Sequence, residues 1–114
     1  MIVRIWRTGV DPDRVAEYRM FAEQRSLPMF RSQTGFLGVL FVEAESDVAV
    51  ISFWQDRDSA EALERSATYK DTVTRILAAG FLSGEQSVAS FEVAGGELTD
   101  ALSQSHFSGT INRK

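Results

Sequence analysis

Arg4 stands in the middle of an apolar run, IVRIW at residues 2–6. A guanidinium there must reach a cleft, pair with a carboxylate or find solvent at a rim, because an unpaired buried charge is very costly. Trp6 lies two residues on, on the same side of an extended chain, and offers a flat apolar face with one N–H donor. Trp54 closes another such run, VAVISFW at 48–54. It has two readings, as a pocket wall or as a core aromatic whose indole N–H finds a backbone acceptor. Tyr69 carries a hydroxyl that can donate a hydrogen bond, and its spacing to Val73 also gives it a packing role.

Other chemistries find less support. The chain has no cysteine, which removes disulfides, thiolate metal sites and sulfur nucleophiles. Its one histidine, His106, lies in a Gly-, Ser- and Thr-rich tail, where neither iron ligation nor a Ser-His-Asp triad has a fixed orientation to draw on. Glu43, Glu45 and Asp47 could be a metal cluster, but charges at a hairpin tip are ordinary solvation. The segments GFLG and AGG lack the strand-to-helix spacing of phosphate-binding loops. No metal and no cofactor is therefore expected.

With 114 residues, 44% of them hydrophobic and 25% charged, the chain is sized for one folded domain. The formal net charge of -4, with basic residues scattered among acidic ones, lacks the footprint of a nucleic-acid or anionic-membrane binder. No stretch approaches the roughly 20 apolar residues that span a bilayer, and the start lacks a signal peptide's apolar region. A cytoplasmic location is the expectation.

The elements that must position these residues alternate. Residues 2–9 read as a strand. Residues 11–26 read as a helix, with Asp11 at the N-cap, Pro12 at its first position, and Val15, Tyr18, Phe21 and Ala22 at helical spacing. Pro28 should break that helix, and SQTG ending at Gly35 reads as a turn. A second strand (36–47) and a third (48–54) are joined by an acidic hairpin. In the third, Val48, Val50, Ser52 and Trp54 share one face and Ala49, Ile51 and Phe53 the other. Asp58 and Glu61 form a capping-box-like pair opening a second helix, which kinks or restarts at SAT. Tyr69, Val73, Ile76, Leu77 and Phe81 continue it as an apolar stripe closed by Gly84. Residues 85–94 supply a fourth, more polar strand.

This order predicts an α+β fold, a ferredoxin-like βαββαβ sandwich with an antiparallel four-stranded sheet, over residues 1–94. Residues 95–114 form a C-terminal tail, flexible or an arm across a partner. Two helices cover only one face of four strands, yet strands two and three are apolar on both. A second copy packing sheet to sheet, a homodimer closing an α+β barrel, is the economical solution. A monomer whose own tail covers the sheet is the alternative.

The TGFLGV turn into strand two, VISFWQDRDSAEAL, the TYKDTV restart and the closing FEV resemble the antibiotic biosynthesis monooxygenase-like family of dimeric α+β barrels. The resemblance covers about residues 2–94. It implies a cleft between sheet and helices and, in one branch, cofactor-free oxygenation of phenols or quinols, in which the deprotonated substrate gives an electron to dioxygen. On that resemblance Trp54 matches a Trp at the end of the third strand in quinone-forming members, and Arg75 lies near an Arg that steadies the substrate anion. The polar amide those members carry one strand turn before the Trp is absent, since Val50 and Ser52 occupy that neighbourhood. A haem-degrading branch has an Asn on the first strand and a Trp and His on the second helix. The only Asn here is Asn112, and the helix positions fall near Leu63 and Val73.

The expected machinery is thus Trp54, Arg75 and Tyr69 as catalytic residues, with Arg4, Trp6 and Phe41 binding substrate. The expected partners are a second copy and a small aromatic molecule, with no nucleic acid and no membrane. A ligand-binding or regulatory homodimer without turnover is the other reading, and a purely structural dimer a third.

Overall fold

A computed structural model describes residues 1–104; the notable tail residues His106 and Asn112 lie outside the described residues. The chain begins with β1 (Ile2–Val10), which runs into a short 3-10 turn at Pro12–Arg14 and then α1 (Val15–Phe21). A π-helical turn at Ala22–Ser26 leads into α2 (Leu27–Arg31). The hairpin β2 (Phe36–Glu43) and β3 (Asp47–Trp54) follows, then α3 (Arg57–Arg65), α4 (Ala67–Ala78), β4 (Leu82–Glu92) and a one-turn α5 (Asp100–Ser103). The four strands form one sheet in the order β2-β3-β1-β4. All three pairings are antiparallel, so the chain has the α+β ferredoxin-like arrangement.

The local chemistry explains most boundaries. Asp11 accepts from the Asp13 N–H and opens the first helical segment. Pro28 does not end it, contrary to expectation. The wider π turn carries the chain to Leu27, whose N–H still reaches the Ala22 carbonyl, and Pro28 then sits in the first turn of α2, where a missing N–H is tolerated. Helix α3 starts two residues earlier than the Asp58–Glu61 pair suggests, because Asp56 caps it by accepting from the Ser59 N–H. The restart is a true break. Ser66 has extended backbone, ends α3 and caps α4 by accepting from the Tyr69 N–H. Gly80, at φ 82°, terminates α4 four residues before Gly84, so β4 begins at Leu82 rather than residue 85. Gly35, at φ 78°, makes the turn into β2 as expected.

All buried strand positions lie on one side of the sheet. Val48, Val50, Ser52 and Trp54 are buried on β3, and Ile2, Arg4, Thr8 and Val10 on β1. The helices cover this side and divide the core in two. One cluster joins Ile2, Met29, Phe30, Val50, Trp54, Ala60 and Leu63. The other joins Val10, Tyr18, Val48, Ile76 and Phe81. Trp6 packs against both and marks the seam.

The other side of the sheet carries Val3, Ile5, Leu40, Ala49, Ile51 and Phe53, which are only half-buried, with Val42 and Phe91 exposed. Nothing in residues 1–104 covers it. Among the described residues no helix is long and apolar enough to cross a membrane.

Candidate functional site

A cleft opens at the seam between the two core clusters. Its walls are Arg4, Trp6 and Val50 from the sheet, Tyr18 and Ser26 from the first helical segment, Met29 and Phe30 from α2, and Tyr69, Thr72, Val73 and Ile76 from α4. It is a half-open cleft, and the space free of atoms reaches about 440 Å³ only when the open solvent at its mouth is counted. The α4 contribution is one stripe: positions i, i+3, i+4 and i+7 from Tyr69 share a face of the helix.

Arg4 and Tyr69 are joined directly. The Arg4 Nη2 donates to the Tyr69 hydroxyl at 2.8 Å, and the guanidinium carbon lies 5.2 Å from the centroid of the Tyr69 ring. Tyr69 is held by the Ser66 cap below it. Gln33 steadies that cap by donating to Ser66 Oγ and Thr68 Oγ1 at 3.2 and 3.0 Å. The nearest carboxylate to Arg4 is Glu64, at 3.8 Å from Nη2 and 54% exposed, whereas Arg4 itself is only 4% exposed. That is weak compensation for a buried charge, since a long contact to a solvated carboxylate returns little of the cost of desolvation. Among the described residues the Arg4 Nε has no hydrogen-bond partner.

Tyr18 is the second unsatisfied group. It is 1% exposed, its ring packs edge-on to Phe81 at 6.2 Å, and its hydroxyl has no hydrogen-bond partner. Burial, with the Glu43 carboxylate adding to it, pushes the phenol above its ordinary range, so it remains protonated and a donor.

Of the six residues expected at the site, the structure brings Arg4, Trp6 and Tyr69 together on the cleft walls. The other three stand elsewhere. Trp54 is fully buried behind the cleft, packed on Phe30 and Phe36 with ring centroids at 6.3 and 5.7 Å. Its indole N–H finds a side chain rather than the backbone, donating to Ser52 Oγ at 2.9 Å. The Ser52 hydroxyl donates in turn to the Arg4 carbonyl at 3.4 Å. Arg75 is half-exposed and paired with Asp71 at 2.8 Å one turn back. Six positions after Tyr69 is about 120° around the helix, off the face that lines the cleft. Phe41 lies opposite Val50 on the neighbouring strand and packs against the first core cluster.

Tyr18, Ser26, Met29, Phe30, Thr72 and Val73 also line the cleft and were not expected there. A Tyr rather than a Phe at an inward helical position was the one signal available, because a buried hydroxyl asks for a partner. Glu43 is engaged by both ends of the Arg19 guanidinium, at 2.8 and 2.7 Å, and among the described residues no three metal-ligating side chains converge.

The family model for antibiotic biosynthesis monooxygenase matches residues 1–75. Among solved structures, SnoaB, a cofactor-independent oxygenase from Streptomyces nogalater, is 19% identical, with a TM-score of 0.68 over 83% of this chain and 94% of that one. A protein of unknown function from Nitrosomonas europaea is 17% identical, with a TM-score of 0.70 over 86% and 93%. A conserved protein from Methanosarcina mazei is 16% identical, with a TM-score of 0.66 over 80% and 91%. At these identities the likeness establishes the shared fold. No curated protein sequence matches the chain.

Proposed function

Because the chain belongs to the antibiotic biosynthesis monooxygenase family, we propose that its cleft binds the anion of a small planar phenol or quinol and lets it react with dioxygen without metal or flavin. One observation carries this reading: a guanidinium almost wholly buried in an apolar cleft, with the neutral Tyr69 hydroxyl on Nη2, an Nε without a partner among the described residues, and only a distant, solvated carboxylate as countercharge. An anion beside Arg4 supplies the missing countercharge, and the low-polarity surroundings strengthen the attraction. Trp6 supports the ring face, and Tyr69 donates to or shares the anionic oxygen with Arg4. Trp54 is a positioning residue in this scheme, acting through Ser52 on the backbone of Arg4.

The bound phenolate passes an electron to dioxygen. From a quinol, loss of two electrons and two protons gives the quinone and hydrogen peroxide. From an anthrone, one oxygen atom ends in the new carbonyl and the other in water. The fold supplies position and charge, while oxidant and electrons come from dioxygen and substrate. We propose also that a second copy covers the open sheet face, whose half-buried Val3, Ile5, Ile51 and Phe53 are those of an interior surface.

The experiment is oxygen uptake and quinone absorbance with dithranol or a hydroquinone in air. A rate above that in protein-free buffer is expected, and the uncatalysed rate would refute catalysis. A second reading, a ligand-binding or regulatory homodimer of the same fold, is favoured by a different observation. Among the described residues, no carboxylate or imidazole lines the cleft to take the substrate's proton. Binding without turnover in the same assay would select it.

A further inference from the structure

Arg4 and the carboxylate that accompanies it stand on different sides of the cleft wall. Arg4 lines the cleft and is 4% exposed, whereas Glu64, whose Oε2 lies 3.8 Å from the Arg4 Nη2, is 54% exposed and is not part of the wall. Glu64 therefore reaches the guanidinium from outside the cleft. At that distance no hydrogen bond joins the two, so charge alone holds them and the carboxylate keeps much of its water. Nothing local favours a carboxylate at this position. Glu64 lies in the last turn of α3, where the helix dipole disfavours an anion. Its surface neighbours within α3 are Ala60 and Glu61, one apolar and one of like charge, and Arg65 stands about 100° away around the helix. Among the described residues, the opposite charge paired with Glu64 is Arg4.

We propose that Glu64 is a resident countercharge that the ligand's anion must outcompete at Arg4, so that Glu64 sets how strongly the cleft prefers an anion to a neutral ring of the same shape. The inference rests on the reading of the cleft as an aromatic-anion site and adds to it a residue that tunes its charge selectivity. With the cleft empty, Glu64 offsets part of the buried positive charge. When an anionic oxygen arrives from the cleft side, two negative charges share one guanidinium, and part of the attraction is lost to the carboxylate already there. The exposed carboxylate has water to turn to, so the anion still wins, but less tightly than a lone guanidinium would hold it. A neutral ring does not enter this competition. A product without charge leaves Arg4 to Glu64 again, so the charge that weakens capture of the anion does not hold back release of the product. Glu64 is thus a positioning residue that acts through the charge of Arg4 and touches no ligand itself.

The test is titration calorimetry with 4-nitrophenol, in buffer alkaline enough to ionise it, and with 4-nitrotoluene, a neutral ring of similar outline. Glu64→Gln, which keeps the side chain's size and removes its charge, is expected to bind the phenolate about fivefold more tightly than the wild-type protein does, and the neutral ring equally well. Glu61→Gln, one turn back on the exposed face of α3, removes the same charge from the protein at a residue not paired with Arg4, and should leave both affinities unchanged. A carboxylate that merely held Arg4 in place would give the opposite sign, with weaker phenolate binding in Glu64→Gln. That weakening, an unchanged affinity, or an equal gain in Glu61→Gln or for the neutral ring would overturn the inference, while binding of the phenolate by the wild-type protein still upheld the cleft. If the phenolate bound neither the wild-type protein nor Glu64→Gln, the cleft reading itself would fall and take the inference with it.

Discussion

Strand β1 mixes a charge and a hydroxyl into its covered side, among Ile2, Trp6 and Val10. Toward the helices it sends Arg4 and Thr8, both buried, beside Trp6. Toward the open side it sends Val3 and Ile5, half-exposed. The sheet as a whole repeats this contrast: the covered face holds a charge, two hydroxyls and a cleft, while the open face is nearly continuous hydrocarbon from Leu40 and Val42 across Ile51 and Phe53 to Phe91. Within that mostly apolar covered face the buried cation stands out, because burying a charge without a close countercharge is costly. The difference is what the proposed function rests on, a ligand at the covered face and a second copy at the open one.

The contrast can be broken most forcefully at its two tryptophans. Trp54→Ala should cost about 3–5 kcal/mol in urea unfolding, because a fully enclosed indole leaves a cavity that its neighbours Phe30 and Phe36 cannot fill. Trp6→Ala, at the half-open seam, should cost markedly less stability and abolish ligand binding. Similar losses in the two variants would mean that the seam is core and not a cleft. On the open face, Ile51→Lys places a charge in the middle of the hydrocarbon without touching the cleft. It should weaken self-association at least a hundredfold, about 3 kcal/mol, and light scattering should then give the mass of one chain instead of two. An unchanged mass would remove this face from the interface.

The smallest effect sits at the edge of the covered side. Arg19 holds the Glu43 carboxyl below its ordinary value of 4.5, so the pair contributes stability above that pH and loses it as the pH falls through the lowered value. Glu43→Gln should flatten this acid limb by well under about 1 kcal/mol, since Arg19 is solvated. A steeper acid limb in the variant would show that Glu43 is protonated in the folded protein.

Much of this arrangement was legible before the structure. Alternation along β3 placed Trp54 and Ile51 on opposite faces, and the mismatch between two helical layers and two apolar faces located the open side. The charge at Arg4 pointed to a cleft as one of three places for a guanidinium in a strand, beside a carboxylate pair and a solvated rim. What stayed hidden was decided by tertiary geometry. Pro28 looked like a terminator because the sequence does not announce a π turn, which shifts the hydrogen-bond register so that a proline is harmless. Arg75 misses the cleft by about a third of a turn, a phase that depends on where α4 restarts at Ser66. Trp54 and Tyr18 exchange their expected parts for a similar reason. Which of two inward aromatics faces the seam depends on how α1 and α2 pack against the sheet, and neither periodicity nor residue type records that.

The central claim is that the buried Arg4 guanidinium makes this cleft a site where an aromatic anion meets dioxygen. Oxygen uptake with dithranol, measured side by side for the wild-type protein and Arg4→Gln at matched thermal midpoints, tests it most directly. The account predicts uptake well above buffer for the wild type and a rate indistinguishable from buffer for the variant. Equal uptake by the two proteins, or a wild-type rate no faster than buffer, would contradict it.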